Sequence, residues 1–338
     1  MVSGGDRRGG RTVTIRDVAA AAGVSHQTIA NVLKAPDRVS PATRELVQHH
    51  IDELGFRPNR MAQNLSHQRS RLIGFRVQAR TALSSGGILD AFLQALAEAA
   101  EAIDHHIVLF HSAPGLSEVS KAAGMYRESI ADAFVVAETR HQAADAAEMI
   151  FVSFGRTDGS VAHHWVDTDN VEGARLATRH LVELGHSDVG FLGWPGASWV
   201  GDDRREGWRR ELMSHGLSSR ESSAAAAAND RHEGAAATEW LLAQNPTMTA
   251  VVAASDELAL GAQVAASRMG RKVSVVGYDD GPMALAGVGL TTIQQPIFEI
   301  AHRILRLTAR LIDGERPDPV HERVVPRLVV RGSTGANQ

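Results

Sequence analysis

The sequence contains no cysteine, and its 338 residues include only 2 tyrosines. The missing thiol excludes disulfides, thiolate metal sites and cysteine nucleophiles together. No run reaches the roughly 18 uncharged apolar residues of a bilayer-spanning helix, so no membrane is expected among the partners. Also absent are the G-x-G-x-x-G, phosphate-loop, H-E-x-x-H and G-x-S-x-G patterns of dinucleotide, nucleotide, zinc-protease and serine-hydrolase sites. Neither an enzyme nor a cofactor is expected on these grounds. Residues 1–11 are Gly- and Arg-rich and lack the apolar stretch of a secretory signal. They read as a disordered arm on a cytoplasmic protein. The 16 histidines include adjacent pairs at 49–50, 105–106 and 163–164. Neighbours of this kind diverge on a helix or strand, and even His163 with Asp167 and Asp169 makes a poor ligand set. No metal site is expected.

What is present is a normal apolar share of 43% and a charged share of 22%, the composition of a globular protein. The length suits two or three folded units rather than one core. Charge divides unevenly along it. Residues 1–71 hold 11 Lys and Arg against 6 Asp and Glu, and the remainder holds 24 against 33. A basic head on an acidic body suits a protein whose head meets phosphates and whose body does not.

Between Thr14 and Phe56 the apolar spacing is helical and the segments are short. Thr14 is placed to cap a first helix, with Asp17 three residues on, near the positive end of the dipole. Ile15, Val18, Ala19 and Ala22 share one face, and Gly23, free to take positive φ, stops the helix. Ser25 caps a second helix carrying Thr28, Ile29, Val32 and Leu33, which Pro36 and Asp37 break. Ser40-Pro41 opens a third by cap plus proline at the first helical position. Two short helices joined by a Gly-containing turn, with a third as brace, is the helix-turn-helix plan. With Ile29, Val32 and Leu33 toward the core, His26, Gln27, Ala30 and Asn31 face out. Gln and Asn can each pair with N6 and N7 of adenine in the major groove. His26, Gln27 and Asn31 are therefore the candidate base readers, and Thr14, Ser25 and Thr28 the candidate phosphate contacts.

From Leu72 onward short β-rich runs alternate with amphipathic helices. The runs are 72–77, 107–110, 133–136, 149–154, 188–192, 249–253 and 273–278. Helices are expected at 88–103, 171–184, 203–214, 234–243, 256–269 and 297–312. Apolar strands without strict alternation, separated by helices, predict parallel sheets covered on both faces. So many strands suggest two doubly wound lobes, with a ligand cleft at the carboxyl ends of the strands.

The residues then match a family. Thr14–Ser66 closely resembles the headpiece of LacI/GalR repressors, through Asp17-Val18-Ala19, Ala22-Gly23-Val24-Ser25, Gln27-Thr28, Val39-Ser40, Leu54-Gly55-Phe56 and Pro58-Asn59. The resemblance continues through Leu184-Gly185-His186, Arg204-Arg205-Glu206-Gly207-Trp208, Ser255-Asp256, Val275-Val276-Gly277-Tyr278-Asp279-Asp280, Gln295-Pro296 and Arg331-Gly332-Ser333. It covers about residues 12–334, in order. It implies an all-α helix-turn-helix headpiece followed by an α/β two-lobed periplasmic-binding-protein-like domain with two doubly wound parallel sheets. The boundaries that follow are a disordered arm at 1–11, a DNA-binding domain at 12–57, a hinge helix or linker at 58–71 and a sensor and dimerisation domain at 72–334. One lobe would take 72–167 and 297–322, the other 168–295 and 323–331.

The resemblance further implies a homodimer on a pseudo-palindromic operator in double-stranded DNA. Leu65 matches the hinge leucine that wedges between central base pairs; Asn59 and Ala62 match hinge positions on backbone and minor groove. The chain carries no leucine-heptad tail after Arg331-Gly332-Ser333, so a dimer is expected rather than a tetramer. In the sensor, Arg204 and Asp279 match effector-binding positions, a guanidinium and a carboxylate suited to sugar hydroxyls; the alternative is that they simply pair with each other or cap a helix. Ser255 stands where lac-type members carry an amide. Trp165 is open to two readings, a platform for a sugar face or a core residue. Ser84 and Ser85 are candidate ligand contacts from the first lobe. The expected partners are thus operator DNA, a carbohydrate effector and a second copy of the chain. The competing reading is a sugar-binding receptor with no DNA-binding role.

Overall fold

The computed structural model describes residues 13–56, 69–77, 87–111, 118–137, 149–156, 163–196, 198–285 and 289–337. The chain divides into two compact units, Met1–Ser70 and Arg71–Gln338.

In the first unit three helices, α1 (Ile15–Ala22), α2 (His26–Lys34) and α3 (Pro41–Leu54), surround one small core. Val18, Ile29 and Val47, one from each helix, are fully buried, with Ala19, Ala22, Val32, Ile51 and Phe56 around them. The caps are those the sequence predicts. The Thr14 backbone N–H and hydroxyl both donate to the Asp17 carboxylate, at 2.8 and 2.7 Å. Ser25 Oγ accepts from Thr28 N and Ser40 Oγ from Thr43 N. Gly23 adopts φ 62°, a left-handed conformation that costs glycine nothing, and the chain there turns from α1 into α2.

The second unit alternates strands and helices. In order these are β1 (Leu72–Arg76), α4 (Ile88–Glu101), β2 (His106–Phe110), α5 (Glu118–Arg127), β3 (Ala133–Ala137), β4 (Phe151–Phe154), β5 (His164–Thr168), α6 (Asn170–Glu183), β6 (Val189–Gly193) and α7 (Trp199–Ser214). Then follow β7 (Ala224–Ala226), α8 (Arg231–Gln244), β8 (Ala250–Ala253), α9 (Asp256–Arg268), β9 (Ser274–Asp279), β10 (Thr291–Gln294), α10 (Ile297–Ile312), β11 (His321–Val324) and β12 (Arg327–Val329). Two six-stranded sheets result, ordered β11-β5-β4-β3-β1-β2 and β12-β10-β9-β8-β6-β7.

Each sheet is buried on both faces, which is why its strands read as continuous apolar runs. In the first lobe Phe92, Ala95 and Leu96 of α4 and Ile300, Ala301 and Ile304 of α10 cover one face with Ile73 and Phe75. Phe110, Phe134 and Phe151 pack on the other with Ala122 and Ala123 of α5. The second lobe centres on Trp208, Phe191, Leu241, Leu258 and Tyr278. Gly207 lies where α6 and α7 touch: a Cβ there would fall 2.2 Å from the Val171 carbonyl oxygen.

The chain passes between lobes after β5, after β10 and after β11. Two expectations need correction. Arg323 and Val324, assigned from the sequence to the second lobe, pair with Asp167 and Thr168 of β5 and belong to the first. The closing strand β12 runs antiparallel to β10, so the second sheet is mixed at its edge rather than wholly parallel.

Candidate functional site

The outer face of α2 is polar. His26 and Gln27 are exposed, Asn31 and Thr28 half-buried, while Ile29 and Val32 point inward. Gln27 Nε2 donates to Asn31 Oδ1 at 3.2 Å, so the two amides, one turn apart, present a joined pair with an amide group free at each end for further bonds. Ser25 and Thr28 share a 2.8 Å hydroxyl contact at the amino end of the same helix, where backbone N–H groups and the dipole favour an anion such as phosphate. Asn59, Ala62 and Leu65, and the sensor residues Ser84 and Ser85, lie outside the described residues.

In the sensor unit the predicted pair Arg204 and Asp279 meet. Arg204 stands in α7 and Asp279 ends β9, and the guanidinium Nη1 lies 3.6 Å from the carboxylate. Arg204 Nε donates to Asn170 Oδ1 at 2.9 Å and Nη1 to the Ala254 carbonyl at 2.5 Å. Its plane stacks on Tyr278, 3.6 Å from the ring centroid, with Trp194 at 5.3 Å. Asp279 holds φ 121° and Asp280 φ 56°, conformations that side chains rarely adopt and that mark functional loops. Asp280 is fixed there by Gln294 at 2.7 Å and Arg331 at 2.6 Å. A cleft of about 910 Å³ opens beside Asp279, walled by Gly87 and Asp90 from the first lobe, Gly281 and Pro282 from the second, and Gln295 from the crossing strand.

Ser255 and Trp165 are placed differently. Ser255 caps α9 through Leu258 N and donates to Asn229 Oδ1 at 2.5 Å, so its hydroxyl is already engaged. Trp165 is buried in β5 and stacks on His321, ring centroids 5.0 Å apart; it takes the core reading.

Several residues that the sequence did not assign to an effector site surround this pair. Asp167 of β5 accepts from Arg156 N and Thr168 N. Burial pushes its carboxyl up to about 6, against the opposing pull of those two bonds and of Arg204. Arg156, beyond β4 in the first lobe, reaches across to Asp203 of α7 at 2.8 Å and lies over Trp199 at 4.7 Å. A second tie runs through the crossings. Thr168 Oγ1 donates to Gln295 Oε1, and Gln295 Nε2 to Asp279 Oδ1, each at 2.7 Å. Burial also raises Asp279, while Arg204 and Gln295 pull it down. Asp256, which accepts from Thr292 and Gly281, is raised by burial and by the neighbouring Asp279 charge. Gln295 and Asp256 stand in the Gln295-Pro296 and Ser255-Asp256 motifs; Asp167, Arg156 and Asp203 carry no local motif and acquire their place through contacts the fold makes.

Among the described residues no group of three or more metal-ligating side chains converges, and no helix is long and apolar enough to cross a membrane.

Comparison with known proteins places this geometry. Residues 14–59 match the family described as bacterial regulatory proteins, lacI family, and residues 178–334 match a periplasmic binding protein-like domain. The HTH-type transcriptional regulator GalS of Salmonella typhimurium is 33% identical over 342 residues, spanning 96% of this chain and 98% of that protein. A solved transcriptional regulator CelR–cellobiose complex is similar at 30% identity and TM-score 0.72, covering 95% of this chain and all of that one. The lac repressor dimer bound to operator and an anti-inducer is similar at 25% identity and TM-score 0.80, covering 96% and 100%. The chain belongs to the LacI family of bacterial regulatory proteins and is a DNA-binding transcriptional regulator with a two-lobed sensor.

Proposed function

We propose that this regulator is an operator-binding repressor whose grip on DNA is set by a carbohydrate effector held between the sensor lobes. The observation that carries the reading is the outer face of α2, where His26, Gln27 and Asn31 stand clear of a core closed by Ile29 and Val32. Amides in that position suit adenine edges in the major groove, and the neighbouring Ser25 and Thr28 suit phosphates. A homodimer would present two such helices to a pseudo-palindrome. The chain segment carrying Asn59, Ala62 and Leu65 is assigned the central minor groove. Cytoplasmic action and the absence of catalysis go with this role.

The effector is a carbohydrate on the chemistry of the sensor: Asp279, which lines the cleft, accepts sugar hydroxyls, and Arg204, buried 3.6 Å from it, stands as the neighbouring donor. The similarity to a cellobiose-bound regulator supports that class. A ligand that favours one arrangement of the lobes shifts DNA affinity, and DNA shifts ligand affinity by the same factor. The test is DNA capture from a genomic library, then titration of the captured duplex with and without sugars at several salt concentrations. Sequence-specific binding that a sugar alters by about tenfold or more is expected. A fragment 71–338 that kept operator affinity would contradict the reading.

A further inference from the structure

We infer that Asp132 is the positioning residue that ties the sensor's response to the head, by holding Arg71 where the chain enters the first lobe. The inference rests on the repressor reading above and assigns its coupling to named side chains. Head and sensor meet in the sequence between Ser70 and Arg71, so any signal carried along the chain passes through Arg71. That residue has φ 58°, the left-handed conformation in which a Cβ crowds the following carbonyl. Among the described residues, the non-glycine positions with positive φ fall in two places. Asp279 and Asp280 stand beside the cleft; Arg71, Asp104 and Ser129 stand in the loops before β1, β2 and β3. Asp adopts this region more readily than most residues, and arginine needs support there. Backbone of this kind persists only where its neighbours over-determine it, and it gathers at clamps and switch regions.

The neighbours of Arg71 are specific. Asp132 Oδ2 accepts from Arg71 N at 2.7 Å, and Asp132 N donates to the Leu72 carbonyl at 2.8 Å. On the other side His106 N donates to the Arg71 carbonyl at 2.9 Å. β1 lies between β2 and β3 in the sheet, so the entering residue is gripped from both flanks. His105, itself buried, donates through Nδ1 to the Ile103 carbonyl at 2.7 Å and brings Nε2 to 3.8 Å from the same Asp132 oxygen. The Arg71 guanidinium pairs with Asp104 at the surface, where water screens such pairs; the backbone bond to Asp132 is the firmer hold. From Arg71, β1 runs with Ile73 and Phe75 buried to Arg76, and the helix that follows it brings Gly87 and Asp90 to the cleft wall. A shift of the first lobe about the effector therefore carries Arg71 with it, and with Arg71 the direction in which the preceding chain leaves the lobe. Without the carboxylate Arg71 relaxes toward ordinary extended backbone, and lobe movement is absorbed in a slack joint.

The experiment compares the intact wild type with Asp132→Ala, Asp132→Asn and Asp104→Ala. The probes are a duplex selected on wild type, an unrelated duplex of equal length, and glucose, galactose, ribose, cellobiose, maltose and lactose. Binding isotherms give the ratio of operator affinities with and without sugar, expected at about tenfold for wild type. In Asp132→Ala the two affinities should come within about twofold of each other, while calorimetry finds sugar affinity within about twofold of wild type. Asp132→Asn, whose amide oxygen can still accept from Arg71 N, should keep most of the ratio. Asp104→Ala, which loses only the surface pair, should keep all of it. A ratio that survives Asp132→Ala, or a fall matched by Asp104→Ala or by an equal loss of sugar affinity, overturns the inference. If Asp132→Ala fails to fold, Asp132→Glu, which keeps the charge but displaces the oxygen, takes its place with the same expectations. If none of the six sugars shifts wild-type binding, the carbohydrate reading fails, and the ligand-free preference for operator over unrelated duplex decides for Asp132. A slack joint should cut that preference about fivefold or more and leave unrelated-duplex binding unchanged; an undiminished preference overturns the inference.

Discussion

Asp279 is held at positive φ between Gln295 and Arg204, and burial lifts its carboxyl well above the ordinary range. In the proposed role it accepts sugar hydroxyls in its ionised form, so effector affinity should fall as pH drops through about 6. Titration calorimetry between pH 7.5 and 5.5 checks this, and Asp279→Asn should bind weakly at every pH, by about 1.5–3 kcal/mol. Asp167 gives a separate signature. Its folded-state value is raised to about 6, so protonation favours the folded sensor. That stabilisation is complete below the unfolded carboxylate range and is lost as pH rises through about 6. Asp167→Asn should therefore flatten the fall in melting temperature between pH 5 and 7.5, read by scanning calorimetry. At this scale the sequence was partly legible. Arg204 and Asp279 stand in motifs that a resemblance can align, and α2 exposes the amides that its apolar spacing predicts. Asp167, Arg156 and Asn229 were opaque, because burial and pairing made by the fold, not neighbours in the chain, give them their chemistry.

Among the elements, α2 keeps its anchoring face apart from its exposed polar one. Ile29 and Val32 anchor it, so under the proposed function changes on the other face should alter DNA recognition without loosening the head. Gln27→Ala should cost about 1–3 kcal/mol of operator affinity and relax base preference at one position of each half-site. Its salt dependence should stay unchanged, since no phosphate contact is lost; binding isotherms at three ionic strengths measure both. The contact of α6 with α7 is less tolerant. Gly207→Ala forces a methyl against the Val171 carbonyl and should destabilise the sensor by about 1–3 kcal/mol, measured by urea unfolding. Long periodic helices and apolar strands were the readable elements. β5, β7, β10 and β11 fall outside the apolar runs because they are short or carry polar residues. β5 and β11 pair with each other at the edge of the first sheet and take their register from partners more than a hundred residues away, as His321 does from Trp165.

On the scale of the whole sensor, two ties join the lobes: Arg156 with Asp203 and Trp199, and Thr168 through Gln295 to Asp279. The second binds the crossing strands directly to Asp279, so in the proposed role occupancy of that carboxylate and the angle between lobes would not be independent. Arg156→Ala removes a clasp worth roughly 1 kcal/mol. It should widen the ligand-free sensor in small-angle scattering and weaken effector binding a few-fold; unchanged scattering with unchanged affinity would deny the clasp any part in closure.

The three passages between lobes also govern how the molecule is made. The head is complete once Phe56 has left the ribosome, but the first lobe waits for α10 to cover its sheet and for β11 to extend it beyond β5. That lobe cannot finish until Val324 has been translated. A premature stop codon before α10 therefore yields a folded DNA-gripping head fused to a sensor with a bare apolar sheet, a product fit for proteolysis rather than for control.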